Sequence, residues 1–187
     1  MPGRTILLIR HAEKPRPGRR GGFDVRGRPD DHSLTAQGWQ RAGAWAELFA
    51  PSLPGVAGGF PRPTAVFASA RTGAEGPVGS KSRRPVETAQ PLADKLGLTL
   101  DCRFAEGQEA ALAEAALQAA GTVLICWQHE RLPDIARRIS ADRPVPAAWP
   151  DDRFNPVLVF RREDGDAVWA FTQIAPLMLP GDRPDPL

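Results

Sequence analysis

The chain has 187 residues, of which 42% are hydrophobic and 25% charged, and a formal net charge of +2. This balance is that of a soluble globular protein and excludes a disordered or fibrous one, while the length suits one core, so a single domain over 1–187 is expected. The small net charge, with no basic stripe interleaved with aromatics, argues against a nucleic-acid partner, and no apolar stretch approaches the roughly 20 residues a membrane helix needs.

The first run, Thr5–Ile9, is continuously apolar and β-prone, the pattern of a strand covered on both faces in a parallel sheet. It is too short and wrongly flanked for a signal peptide, so a cytoplasmic location is the expectation. Ala12–His32 is rich in Pro, Gly, Arg and Asp and reads as a long loop. Ser33 or Thr35 then starts a helix with Trp39, Ala42, Trp45, Ala46 and Phe49 on one face.

After a second loop, Pro51–Pro63, the sequence predicts a short strand at Thr64–Ser69 and a Gly-containing loop at Arg71–Lys81. Ser82 is placed to cap the next helix, which stops at Gly97. A short strand at Leu98–Asp101, an alanine-rich helix at Gln108–Ala120, a buried strand at Thr122–Trp127 and a helix entered at Pro133 follow. Val157–Phe160 and Val168–Phe171 flank Glu163-Asp164-Gly165-Asp166, a hairpin signal. Alternating strands and helices followed by a hairpin predict a three-layer α/β/α sandwich, its sheet mostly parallel with an antiparallel edge.

Cys102 and Cys126 form no CxxC pair and read as reduced structural residues. The positive side is almost all arginine, lysine standing only at positions 14, 81 and 95. Arginine's planar fork suits phosphate and carboxylate recognition, although such a composition alone assigns no chemistry.

Ligands of open α/β sheets gather at the carboxyl ends of the strands, and two separate strands here each deliver a histidine there: His11 after Thr5–Ile9, and His129 after Val123–Trp127. A neutral imidazole is a competent nucleophile toward a phosphoryl group, and a neighbouring arginine, here Arg10, stabilises the phosphate charge. A strand-end histidine is also a common hydrogen-bonded structural residue, so position alone leaves both readings open.

Four ordered segments carry a resemblance. LLIRHAEKP resembles the RHG or RHA signature of the histidine phosphatase superfamily, the phosphoglycerate-mutase-like fold. Ser33–Phe49 looks like that family's LTxxGxxQA helix, Ser82–Leu98 its RxxxTA helix, and Val123–Ile139 the strand, histidine and helix that place its second histidine. The chain thus looks like a short, bacterial-type member. The resemblance implies that His11 becomes phosphorylated and that Arg10, Arg84 and His129 bind the phosphate, with no metal or other cofactor. The residues Ala70–Arg83, inserted between Ser69 and Arg84, depart from the family pattern and leave Arg71 and Arg83 as rivals to Arg84.

The family's acidic motif is not matched in CRFAEGQEA; Glu106 is the candidate proton donor, with Glu109 beside it, and both equally suit caps of the following helix. Glu13, Lys14 and His32 are further candidates for the pocket. Arg16, Arg19, Arg20, Arg26 and Arg28, interspersed with Asp24, Asp30 and Asp31, read as a solvated loop able to draw in an anion.

The expected activity is phosphomonoester hydrolysis through a phosphohistidine, acting on a small phosphorylated substrate or a phosphorylated protein side chain. A phosphomutase and a non-catalytic phosphate-binding module are the alternatives. A metallohydrolase is disfavoured, because no HxH or HExxH spacing is present and the arginines would repel a cation.

Overall fold

A computed structural model describes residues 3–16, 21–53, 59–71, 81–141 and 143–187. Strand β1, Arg4–Arg10, is the centre of the sheet, and six of its seven residues are buried. Its apolar residues alternate between two cores, which is why the sequence shows an unbroken apolar run rather than an alternation. Strand β2 spans Ala65–Ala68, β3 Thr122–Trp127, β4 Val157–Arg162 and β5 Ala170–Ile174, in the spatial order β2-β3-β1-β4-β5.

β3 runs parallel to both β1 and β2, whereas β4 pairs antiparallel with β1 and with β5. The predicted α/β fold is present, but the sheet is mixed rather than mostly parallel. The helical connections between β1, β2 and β3 return the chain in the same direction, whereas the connection through residues 132–156 brings β4 in beside β1 in the opposite one.

Helices α1, Ala36–Phe49, and α2, Arg84–Leu96, pack on one face, where Trp45, Phe49 and Leu92 meet Leu7, Ile9, Leu124 and Val159. On the other face α3, Glu109–Gln118, and α4, Leu132–Ser140, bring Leu112, Leu132, Ile135 and Ile139 against Ile6, Leu8, Ile125 and Phe160. Each such side chain removed from water contributes on the order of 1.5–3 kcal/mol. These two cores define the three layers. Among the described residues no helix is long and apolar enough to cross a membrane.

Local signals act where expected at several ends. Thr35 is the N-cap of α1, accepting a hydrogen bond from Gly38 N at 3.1 Å, and Gly97 ends α2 with φ +68°. Three expectations change. α2 begins at Arg84, with Arg83 at the cap position, although Ser82 Oγ still accepts from Arg84 N at 3.3 Å. Leu98–Asp101 forms no strand; it makes a single bridge, Asp101 to Phe67, because β2 is only four residues long. Val168 lies outside the hairpin ladder and is 48% exposed, since the turn widens and pairing begins at Ala170 opposite Arg161.

The fold positions the site by direction. β1, β2 and β3 all end on one side of the sheet, and antiparallel β4 begins there, with Ile9 opposite Val157. The segment before β4 is therefore delivered to the same end as His11 and His129.

Candidate active site

His11 follows the last residue of β1, its main-chain N donating to Trp127 O at 3.1 Å, and it is 3% exposed. Its Nδ1 lies 2.8 Å from the carbonyl of Ala12, a hydrogen-bond acceptor, so Nδ1 carries the proton and Nε2 keeps its lone pair. Burial, with the positive charges of Arg10, Arg84 and Lys14 nearby, pulls its pKa down to about 3. The ring is neutral throughout the physiological range.

Arg10 is fully buried. Its Nη1 donates to the carbonyl oxygens of Pro150 at 3.1 Å, Asp151 at 2.7 Å and Arg153 at 3.2 Å, and its guanidinium stacks 4.0 Å from the ring centre of Phe154. Desolvation lowers its pKa to about 10, so it remains charged. Nε is buried and makes no hydrogen bond, and Nη2 meets the Asp151 carboxylate at 3.2 Å, at the face of the guanidinium that Asp151 covers.

His129 stands two residues beyond β3 and is 8% exposed. Its Nε2 is 3.2 Å from Asp151 Oδ1, and its Nδ1 is 2.8 Å from Glu130 Oε2, out of line for a straight hydrogen bond. The same Asp151 oxygen lies 2.7 Å from Lys14 Nζ. Arg10, Lys14 and His129 therefore converge on one carboxylate oxygen. Glu130, pulled to about 2 chiefly by its contact with His129, is ionised beside them.

Helix α2 supplies the remaining predicted residues. Thr88 Oγ1 accepts from Ala12 N at 2.8 Å, fixing the turn that carries His11. Glu87 accepts from Ser33 Oγ at 2.7 Å and Leu34 N at 3.0 Å, which fastens the entry of α1 to α2. Arg84 is close enough to depress the His11 pKa, while its own guanidinium donates to Asp31 O at 2.7 Å and Ser33 O at 3.3 Å. Of its rivals, Arg83 is paired with Asp30 at 3.3 Å, and Arg71 is exposed. The loop 72–80 lies outside the described residues. His32 is exposed, and its main-chain carbonyl accepts from Arg83 N.

The candidate acids are set apart. Glu106 lies 3.6 Å from Arg131 Nε, whereas Glu109 is buried and accepts from the Trp127 indole at 3.0 Å and from Gly107 N. Glu109 thus holds α3 to β3 rather than standing exposed as a cap. Glu13 turns away to Arg41, at 2.7 Å from Nη2. Asp24 accepts from Arg26 N and from the main chain and guanidinium of Arg28, which hold it near 2, so this part of the arginine loop satisfies itself. Arg19 and Arg20 lie outside the described residues. Among the described residues no three His, Cys, Asp or Glu side chains are grouped to hold a metal ion.

Beside this cluster a cleft of about 840 Å³ opens between residues 13–16, the start of α1, residues 151–155 and Pro180–Asp182. Lys14, Asp151 and Phe154 belong to both the cluster and the cleft wall, which Phe23 and Arg16 also line. Sequence reasoning missed Asp151, Phe154 and Glu130. Glu130 adjoins His129 and was open to suspicion; Asp151 and Phe154 sit in no motif, and only the antiparallel entry of β4 brings them here.

No protein-family model matches the chain, and no curated protein matches it in sequence. Solved structures do. The protein histidine phosphatase SixA, solved with tungstate, superposes with a TM-score of 0.56 at 12% identity, covering 91% of this chain and 96% of that one. A phosphoglycerate mutase from Plasmodium falciparum gives 0.54 at 10% identity with 100% of both chains covered. The ecdysone phosphate phosphatase of Bombix mori, in complex with tungstate, gives 0.50 at 13% identity, covering 90% and 92%. With its strand order, its layers and these superpositions taken together, the chain has the fold of the histidine phosphatase superfamily, the phosphoglycerate-mutase-like fold.

Proposed function

We propose that this chain is a phosphomonoester hydrolase that works through a phosphohistidine on His11. The observation that carries the reading is the state of that ring: Nδ1 is committed to Ala12 O at 2.8 Å, and burial among cations keeps the imidazole neutral, so Nε2 offers a lone pair where an anion is attracted. Two of the structurally similar proteins were solved with tungstate, an oxyanion with the charge and tetrahedral shape of phosphate.

In the proposed first step, Nε2 forms a bond to phosphorus as the bond from phosphorus to the ester oxygen breaks, and the leaving alkoxide takes a proton. Arg10 through Nη2, together with Arg84 and His129, stabilises the charge on the phosphoryl oxygens. Water then attacks phosphorus as the P–N bond breaks, its proton passes to the carboxylate that protonated the leaving group, and inorganic phosphate leaves with His11 neutral again. Glu106 is the proposed proton donor to the leaving group. Its ion pair with Arg131 would open when substrate enters. The substrate is a small phosphate monoester or a phosphorylated side chain.

Hydrolysis of an aryl phosphate at mildly acidic pH tests this directly. Activity should survive a chelator and vanish in His11→Ala, and a denaturing gel after a brief pulse with labelled substrate should show acid-labile phosphate on the wild type. Activity that persists without His11 would sink the mechanism, and transfer of the phosphate to a second substrate position instead of water would make the chain a mutase. Glu106→Gln should slow esters with poor leaving groups more than those with good ones; an equal effect on both would remove Glu106 from the chemistry.

A further inference from the structure

The proposed reaction gives no role to the carboxylate on which the cations of the site converge. Asp151 Oδ1 lies 2.7 Å from Lys14 Nζ, 3.2 Å from Arg10 Nη2 and 3.2 Å from His129 Nε2. A carboxylate oxygen offers cationic donors the same short, charge-assisted contact that a phosphate oxygen offers. We propose that Asp151 is an internal ligand of the anion site, its carboxylate standing where a phosphate oxygen binds and swinging aside before substrate reaches His11. The inference rests on the phosphatase reading of that pocket and adds what the Asp151 carboxylate does there in the free protein.

The surroundings permit such a swing. The Asp151 side chain is 67% exposed, so its departure costs no buried apolar contact. Its main chain is held independently: Arg10 Nη1 binds the carbonyls of residues 150, 151 and 153, Arg153 N donates to Pro150 O at 3.1 Å, and Trp149 Nε1 donates to Arg153 O at 2.8 Å. Rotation about the side-chain bonds therefore leaves the frame of the site intact. The cleft whose wall Asp151 shares with Lys14 lies alongside and gives the carboxylate a wet place to go.

Two consequences follow. Without an anion, the Arg10 and Lys14 charges would repel each other and any charge on His129; Asp151 offsets that repulsion in the free protein. Binding of phosphate then becomes an exchange of one anion for another, which lowers affinity for every anion and favours one that carries two charges over one that carries a single charge.

Titration calorimetry with tungstate and with inorganic phosphate, on the wild type, Asp151→Asn and Asp151→Ala, reads this without turnover. Both variants should bind about tenfold more tightly, about 1.4 kcal/mol, the scale of a few solvent-screened ion contacts. Matched melting temperatures would establish that the variants are folded. Equal or weaker binding by both folded variants overturns the proposal. So does unchanged tungstate affinity with selectively slower hydrolysis of poor-leaving-group esters, which would make Asp151 a proton donor. Failure of all three proteins to bind either anion overturns it together with the phosphatase reading. Tighter binding by both variants, with no ester hydrolysed by the wild type itself, would leave the internal ligand standing and remove the hydrolase.

Discussion

Around His11 the supports come from short sequence motifs: Thr88 holds the Ala12 main chain, and Glu87 holds the start of the segment before α1. Around Arg10 they come from residues 149–155, which are themselves strapped by the C-terminal residues. Arg153 donates to the carbonyls of Arg183 and Asp185, and Asn155 Nδ2 donates to Pro176 O at 3.1 Å and Arg183 O at 2.9 Å. The first half is built by helix and strand ends, where main-chain direction aims the side chain. The second is built by extended segments that have no hydrogen-bonding period of their own and depend on buried arginine and asparagine side chains to satisfy them. A site made of both is held on the nucleophile side by the ends of regular elements and on the anion side by C-terminal contacts 21 to 32 residues away in sequence.

The link between the halves is Arg41 on α1, which is 2% exposed and binds Glu13 Oε1 at 2.7 Å and Asp182 Oδ1 at 2.6 Å. Arg41→Met would leave two carboxylates facing each other with little water, and removal of one partner from a buried ion cluster costs about 3–5 kcal/mol. Urea unfolding should show a loss of that size, the largest expected here. The triple variant Glu13→Gln, Arg41→Met, Asp182→Asn should recover most of it. A loss below about 1 kcal/mol would mean that the C-terminal segment is secured elsewhere and that the halves are independent.

Legibility in the sequence follows the same division. The five strands and most helix ends were readable because apolar period, caps and glycine stops act within a few residues, although Leu98–Asp101 reads as a strand and is none, and the histidines and Arg84 stood at positions where such elements end. The antiparallel β4–β5 edge was readable from its turn, but the antiparallel pairing of β4 with β1 was not, because it depends on how the chain returns beside β1 rather than on any local pattern. Glu109 shows a subtler failure: its position before a helix suggested an exposed cap, yet Trp127, eighteen residues later, needs a buried acceptor for its indole N–H. Asp151 was invisible for a third reason. An aspartate in Trp149–Asn155 looks like any loop aspartate until the parallel ends of β1 and β3 and the antiparallel start of β4 bring cations around it.

A smaller effect probes the motif half alone. Thr88→Val keeps the shape of the side chain but removes the acceptor for Ala12 N, a buried donor, at a cost of about 1–3 kcal/mol. Because the residue beside His11 then loses its tether, kcat on an aryl phosphate should fall while tungstate affinity, set on the Arg10 side, changes little. Thr88→Ser should retain both. Equal losses of kcat and anion affinity would show that the two halves respond as one unit and would break the division drawn above.

The smallest effect concerns protons. His11 is neutral in the folded chain down to about pH 3, whereas an unfolded histidine takes up its proton near 6.5. Between those values the unfolded state binds more protons, so stability rises with pH across the window and is lost as pH falls from 6.5 toward 3. Carboxylates held low, such as Glu130 and Asp24 at about 2, lose their contribution mainly below about pH 4, and Glu87, raised by burial, acts in the opposite sense near its own range. These groups are common to the wild type and to His11→Gln, so the difference between their unfolding curves isolates the imidazole. Over the first unit below 6.5 the wild type should lose about 1 kcal/mol relative to the variant. A difference that stays flat from pH 7.5 to 5.5 would mean that His11 is accessible to protons in the folded chain. The ring would then be a charged phosphate ligand at mildly acidic pH rather than a nucleophile with a free lone pair.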